Sequence, residues 1–148
     1  MAGYPQFELD HQLCFALYTA SRAMTRAYGP LLADTGLTYP QYVTLLALWR
    51  DPGQARSVGE LGERLHLDSG TLTPLLKRLA SMGYVTRSRD AADERRVLVT
   101  LTADGLALRD RLAAVPMSIA SCLGMAPSEG MTLREQLTAL TESLEASA

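Results

Sequence analysis

Cysteine is scarce in this 148-residue chain, an excess of positive charge and long apolar runs are missing from it, and each shortage excludes something. The two cysteines, Cys14 and Cys122, lie far apart and outside any Cys-x-x-Cys spacing, so no zinc cluster is available from them. His11 and His66 have no metal-type partners in sequence, and neither a metal nor a cofactor is expected. Apolar stretches are broken by charge within about ten residues, well short of the roughly 20 that cross a bilayer, so no membrane partner is expected. The opening MAGYPQFELDHQL lacks the basic region and apolar core of a signal peptide, which points to the cytoplasm. Thiols are kept reduced there, leaving Cys14 and Cys122 as either inert packed residues or chemistry. The net charge of −2 argues, taken alone, against a nucleic-acid partner.

What is present is a run of helical signals interrupted once. Leu13, Leu17, Ala20, Met24 and Ala27 share one face of a long first helix over about 10–28, with Asp10 as its N-cap and Gly29-Pro30 as its stop. A short helix over 31–34 is broken by Gly36. A third over 38–49 turns Tyr42, Leu45, Leu46 and Trp49 inward and ends at Asp51-Pro52-Gly53. Ser57 and Glu60 form a capping box for the next helix, whose apolar positions are Val58, Leu61 and Leu65. Within a few residues another helix restarts, capped by Ser69 or Thr71, with Pro74 close to its first turn and Gly83 as its left-handed terminus. Two helices joined by so short a turn read as helix-turn-helix.

From Tyr84 to Thr102 the pattern changes to strand alternation, with Val97, Val99 and Leu101 following a polar tip at 90–94. A hairpin in this position is a wing. Thr102 then caps a helix starting at Ala103, Pro116 kinks or divides it, and a final amphipathic helix runs over about 128–144 through Leu133, Leu137, Leu140 and Leu144. The expected fold is mainly α with a small β wing. One domain spans 1–148, with a winged helix-turn-helix lobe over 55–102 and dimerisation helices over 1–34 and 103–148.

That fold revises the reading of the charge. Lys77, Arg78, Arg87, Arg89, Arg95 and Arg96 face three acids, Asp90, Asp93 and Glu94, in one short segment, so the local charge is +3. A major groove about 12 Å wide accepts one helix, and the residues near that helix's start reach base edges. Here these are Ser69, Gly70, Thr71, Thr73 and Lys77, with Arg78 on phosphate; Arg95 is placed for the flanking minor groove. Asp93, two residues away on the same face of the hairpin, is positioned to hold the Arg95 guanidinium. One such unit reads half a palindrome, so a homodimer on double-stranded operator DNA is expected, with half-sites one helical turn apart.

The order of elements, with DSGTLTPLLKRL and DERRVLVTLT, resembles the MarR family of bacterial regulators over essentially the whole chain. LDHQLCFALYTASRAMTRAY and the following LTYPQY look like its organic-hydroperoxide-sensing OhrR subgroup. The resemblance implies that Cys14 is a peroxide sensor, that Tyr18, Tyr28 and Tyr39 are its supporting tyrosines, and that oxidation by an organic hydroperoxide releases a repressor from DNA. It also implies, more weakly, that Cys122 is a resolving thiol supplied by the other subunit. The residues themselves leave Cys14 open as a packed small apolar group or a reactive thiol. A first-turn position, about four residues after Asp10, agrees with the second, because helix N-termini favour a thiolate and the thiolate attacks peroxide. Two other functions remain open at this point: a two-cysteine thiol peroxidase, for which no thioredoxin-like scaffold is legible, and a regulator released by a reversible phenolic ligand.

Overall fold

The computed structural model describes residues 4–148, which divide into two compact units meeting at Ala113 and Ala114. The first unit opens with two single 3-10 turns, Pro5–Phe7 and Leu9–His11, and continues as α1 (Leu13–Leu32) and α2 (Tyr39–Trp49). β1 (Arg56–Ser57), α3 (Val58–Leu65) and α4 (Ser69–Ser81) follow, then β2 (Val85–Arg89), β3 (Val97–Leu101) and α5 (Ala103–Arg111). The second unit holds α6 (Val115–Cys122) and α7 (Pro127–Glu145). The expected class, mainly helical with a small winged sheet, is what the chain adopts.

Several boundaries differ from the sequence expectation. Asp10 is not the N-cap of α1; it lies inside the second 3-10 turn, and Gln12 occupies the cap position. The Gln12 side chain reaches back instead of forward, donating from Nε2 to the carbonyls of Gln6 at 2.7 Å and Glu8 at 3.3 Å. No side chain therefore caps α1, and the N–H groups of its first turn stay available to an anion. At the other end Gly29-Pro30 does not stop the helix, which runs on to Leu32, so the separate helix expected over 31–34 does not exist. The clash that bars helix before a proline falls partly on the preceding Cβ, and Gly29 has none. A 3-10 turn, Ala33–Thr35, closes the segment at Gly36, whose φ of +69° is the left-handed conformation glycine accepts freely.

In α2 the buried residues Gln41, Tyr42, Thr44, Leu45, Leu48 and Trp49 form one arc. Leu46, expected inward, is 44% exposed, because it lies about 100° round the helix from Leu45, outside that arc. The core is completed by Leu61, Leu72, Leu76, Leu79, Val85, Val99 and Leu108. A two-residue strand, absent from the sequence reading, joins the hairpin: the antiparallel sheet has the order β1-β3-β2, with Arg56 opposite Val99 and Arg87 opposite Val99 from the other side. The Trp49 indole donates to the Gly105 carbonyl at 2.8 Å, tying α2 to the start of α5.

In the second unit, Pro116 sits in the first turn of α6, where a missing N–H costs nothing, which explains why the chain breaks there instead of bending. α7 buries none of its residues, and Met131, Leu133, Leu137 and Leu144 are exposed.

Candidate functional site

The turn between α3 and α4 is built from three adjacent features. Ser57 accepts from the Glu60 N–H at 3.2 Å while the Glu60 carboxylate accepts from the Ser57 N–H at 2.6 Å, which fixes where α3 starts. That bond, followed by the Ser57 side chain and then the charges of Arg96 and Arg56, holds the Glu60 carboxyl below the usual carboxylate range. His66 ends α3 with φ of +53°, and the backbone returns so closely that a Cβ on Gly62 would lie 2.7 Å from the Leu67 carbonyl oxygen. Hence Gly62 is required for the tight turn that sets one helix against the next.

α4 is capped by Asp68, not by Ser69 or Thr71: its carboxylate accepts from the Thr71 N–H at 2.8 Å and the Thr71 hydroxyl at 3.0 Å. These bonds, backbone first, hold the Asp68 carboxyl below its ordinary range. Pro74 is the sixth residue of the helix, one turn deeper than expected, so the Gly70 carbonyl has no helical donor above it. Ser69, Gly70, Thr71, Lys77 and Arg78 are exposed along the helix, whereas Thr73 is half-buried. Thr71 commits its hydroxyl proton to Asp68 and keeps only acceptor capacity.

The wing sorts its arginines by what they touch. Arg89 donates to the Glu94 carbonyl at 2.7 Å and closes the loop. Arg96 ties the hairpin down, with its guanidinium 3.4 Å from Asp90 and 3.8 Å from the Glu60 carboxylate that caps α3. Arg87 is half-buried on the same sheet face as Val85 and Val99, and its buried Nε has no protein partner. Arg95 alone of these stands clear, 92% exposed, with Nε 3.1 Å and Nη2 3.4 Å from the two Asp93 oxygens. The Arg95 side chain, then its backbone N–H, holds the Asp93 carboxyl below the ordinary range. An exposed arginine is thus held in a set pose at the wing tip.

The redox candidates fall into separate places. Cys14 is the second residue of α1, exposed and with a free thiol, and Tyr18 is one turn further along. Tyr28 and Tyr39 meet with ring centroids 4.5 Å apart, and Tyr28 also lies 5.6 Å from Tyr42, whose edge contacts Trp49 at 6.2 Å. Burial, then the neighbouring Tyr39 and Tyr42, pushes the Tyr28 phenol upward, keeping it a hydrogen-bond donor. Fourteen residues of continuous helix separate Cys14 from Tyr28, an interval of about 21 Å at 1.5 Å per residue. A single chain therefore brings Tyr28 to Tyr39 but brings neither to Cys14. Cys122 is the last residue of α6, exposed and free. Sequence reasoning missed Arg22, which donates to the Tyr18 hydroxyl at 2.6 Å; the i, i+4 spacing was the available signal.

The family model for the transcriptional regulator SarA/Rot matches residues 26–112. The organic hydroperoxide resistance transcriptional regulator of Bacillus subtilis is 44% identical over 142 residues, covering 96% of this chain and 93% of that one. The chain belongs to the MarR/SarA winged-helix family of transcriptional regulators. The regulator TtmR of Methylorubrum extorquens is 49% identical over 140 residues, covering 95% of this chain and 71% of that protein. Among solved structures, reduced AbfR bound to DNA, a Staphylococcus epidermidis protein, is similar at a TM-score of 0.81 and 35% identity, covering 95% of both chains. The same protein in its overoxidised form bound to DNA matches at 0.77 and 37% identity, covering 94% of this chain and 96% of that one. In its disulfide form it matches at 0.65 and 37%, covering 92% and 94%. Among the described residues no helix is long and apolar enough to cross a membrane, and no group of acids, histidines and cysteines could hold a metal.

Proposed function

We propose that this regulator is a peroxide-responsive repressor: as a reduced homodimer it occupies operator DNA, and oxidation of Cys14 by an organic hydroperoxide releases it. The observation that carries the reading is an exposed thiol on the uncapped first turn of α1, in a chain 44% identical to a hydroperoxide resistance regulator. Residues 55–102 read DNA through Ser69, Gly70, Thr71, Thr73, Lys77 and Arg78 on α4, and through the wing. The helices at 1–34 and 103–148 build the dimer. The 21 Å interval along α1 gives the dimer a chemical role, since Tyr28 and Tyr39 support Cys14 only if they come from the other subunit.

The Cys14 thiolate takes the terminal oxygen of the hydroperoxide, the O–O bond breaks, and an alcohol leaves a sulfenic acid behind. Cys122 of the second subunit then condenses with it, losing water to form a disulfide. That AbfR occurs on DNA both reduced and overoxidised supports the disulfide, rather than oxygen on the sulfur, as the releasing event. Peroxide is consumed once per Cys14, and so once per disulfide, and is not turned over.

Binding of the purified protein to its own upstream DNA, with and without cumene hydroperoxide, tests the reading as a whole. Non-reducing electrophoresis after one equivalent of oxidant tests the resolving step. A covalent dimer that disappears in Cys122→Ser is expected; an oxidised monomer retaining a Cys122 thiol removes Cys122 from the mechanism. Tyr39→Phe is expected to slow Cys14 oxidation roughly ten- to hundredfold, the worth of one hydrogen bond to a charged group, while operator affinity of the reduced protein holds.

The wing gives a second contrast. Arg95→Ala is expected to weaken operator binding by about 1–3 kcal/mol and to lower the salt slope by roughly 1, as for a lost groove contact. Arg96→Ala should also weaken binding, by loosening the wing, but with an unchanged salt slope, because Arg96 braces the hairpin against Asp90 and Glu60 and makes no DNA contact in this reading. Gel-shift titrations at several salt concentrations separate the two, and equal slopes for Arg95→Ala and the native protein would remove the wing tip from the interface.

A further inference from the structure

Cys14, Tyr18 and Arg22 stand at i, i+4 and i+8 on α1, one above another on a single stripe. Long side chains on a helix lean toward its N-terminus, so each covers the turn before its own Cα: Arg22 lies over Tyr18, and Tyr18 over the turn that carries Cys14. The first of these steps is formed, with Nη1 of Arg22 2.6 Å from the Tyr18 hydroxyl and the guanidinium carbon 5.4 Å from the ring centroid. Arg22 thus spends this bond on a neutral phenol, holding it both at its oxygen and at its face.

The hydrogen-bond inventory gives that contact a direction. A guanidinium only donates, so the phenol oxygen must be the acceptor, and the one proton of Tyr18 is left for a different partner. A charged donor on the oxygen polarises the O–H and makes it a stronger donor in turn. With that lean, the Tyr18 phenol is on the same stripe as Cys14 and one turn along it, within one helical turn of a hydroperoxide attacked by the thiol.

We propose that Arg22 is a positioning residue of the redox site, holding the Tyr18 phenol so that its proton is delivered to the alkoxide that the hydroperoxide expels when Cys14 attacks it. This rests on the peroxide-sensing reading above. In balanced form, the thiolate sulfur bonds to the terminal oxygen of ROOH and the O–O bond breaks. Sulfur is oxidised to the sulfenic acid and the peroxide is reduced to RO⁻, which takes the Tyr18 proton and leaves as ROH. Water then reprotonates the phenolate. Arg22 touches neither sulfur nor peroxide, and it keeps the phenolate paired during the step.

The test compares two reactions at the same sulfur in the full-length dimer. Oxidation by cumene hydroperoxide expels an alkoxide that needs a proton, whereas alkylation by iodoacetamide expels iodide, which does not. Arg22→Ala is expected to slow oxidation roughly ten- to hundredfold, the low end of general-acid effects, with alkylation changed less than about twofold. Arg22→Lys, which still donates, should recover most of the rate, and adding Arg22→Ala to Tyr18→Phe should cost nothing further. Oxidation at the native rate in Arg22→Ala, an equal loss in both reactions, or additive losses in the double variant would each overturn the assignment. Operator affinity of the reduced variants reports whether they are folded. If the native Cys14 is itself inert to the hydroperoxide, the sensor reading falls and takes this one with it; a reactive Cys14 indifferent to Arg22 overturns only the role of Arg22.

Discussion

Cys14→Ser is expected to stay on its operator at hydroperoxide concentrations that strip the native protein from it. Serine replaces one exposed atom with a smaller one, so no cavity opens and reduced-state affinity should stay within about twofold of native, as surface substitutions usually do. What disappears is the nucleophile, because a hydroxyl at this position is not ionised and does not attack the O–O bond. Gel shifts of both proteins across a peroxide titration measure the difference, and the expected outcome is all or nothing. A serine protein still released by oxidant would place the sensor elsewhere, and one released by a phenolic acid would instead favour a reversible ligand. Cys122→Ser should also stay on its operator, but for a different reason: Cys14 still oxidises, and without a resolving thiol it proceeds to irreversible acids instead of the releasing disulfide.

The largest expected change in stability belongs to a residue with no side chain. A Cβ on Gly105 would lie 2.0 Å from the Tyr84 carbonyl oxygen, 2.9 Å from its carbon and 3.1 Å from a methyl of Leu101. That carbonyl cannot retreat, since it accepts the Thr102 N–H at 3.1 Å where the wing hands over to α5. Gly105 itself is held from both sides, its N–H bonded to the Thr102 hydroxyl at 3.0 Å and its carbonyl to Trp49. Gly105→Ala is therefore expected to cost more than about 4 kcal/mol, in the range reserved for mutations that force backbone apart. Gly53→Ala, where nothing lies within 4 Å, should fall within about 0.5 kcal/mol of native. Urea midpoints of the two variants provide the comparison, and near-native stability of Gly105→Ala would show that the junction is looser than its distances imply.

The parts of this fold that were legible in advance are those in which a side chain bonds the backbone beside it. Ser57 with Glu60, Thr102 ahead of Ala103 and the left-handed Gly83 each announce a boundary within three or four residues, and each stands where it was expected. Where the decisive contact is a missing clash or a distant strand, the text was mute. Gly29 hid the continuation of α1 through Pro30, and Arg56–Ser57 is too short for any period to mark it. At the site, the spacing of Cys14 and Tyr18 was readable as a helical turn. The 21 Å gap to Tyr28 was equally implied by a continuous helix, yet three tyrosines named together suggest one pocket until their positions are measured. Arg22 resembled any solvated arginine on a helix, because its i, i+4 spacing to Tyr18 permits the contact and only the rotamer makes it.

Trp49 is the chain's single tryptophan, so the protein's indole emission has one source. Its ring touches Tyr42, which touches Tyr28, which stacks on Tyr39, while its N–H is anchored at the foot of the wing. Energy absorbed by the tyrosines drains toward that indole, and the colour and intensity of its light depend on the carbonyl it holds. An event at the tyrosine pair and a shift of the wing base would both register in one optical signal, without any label being attached.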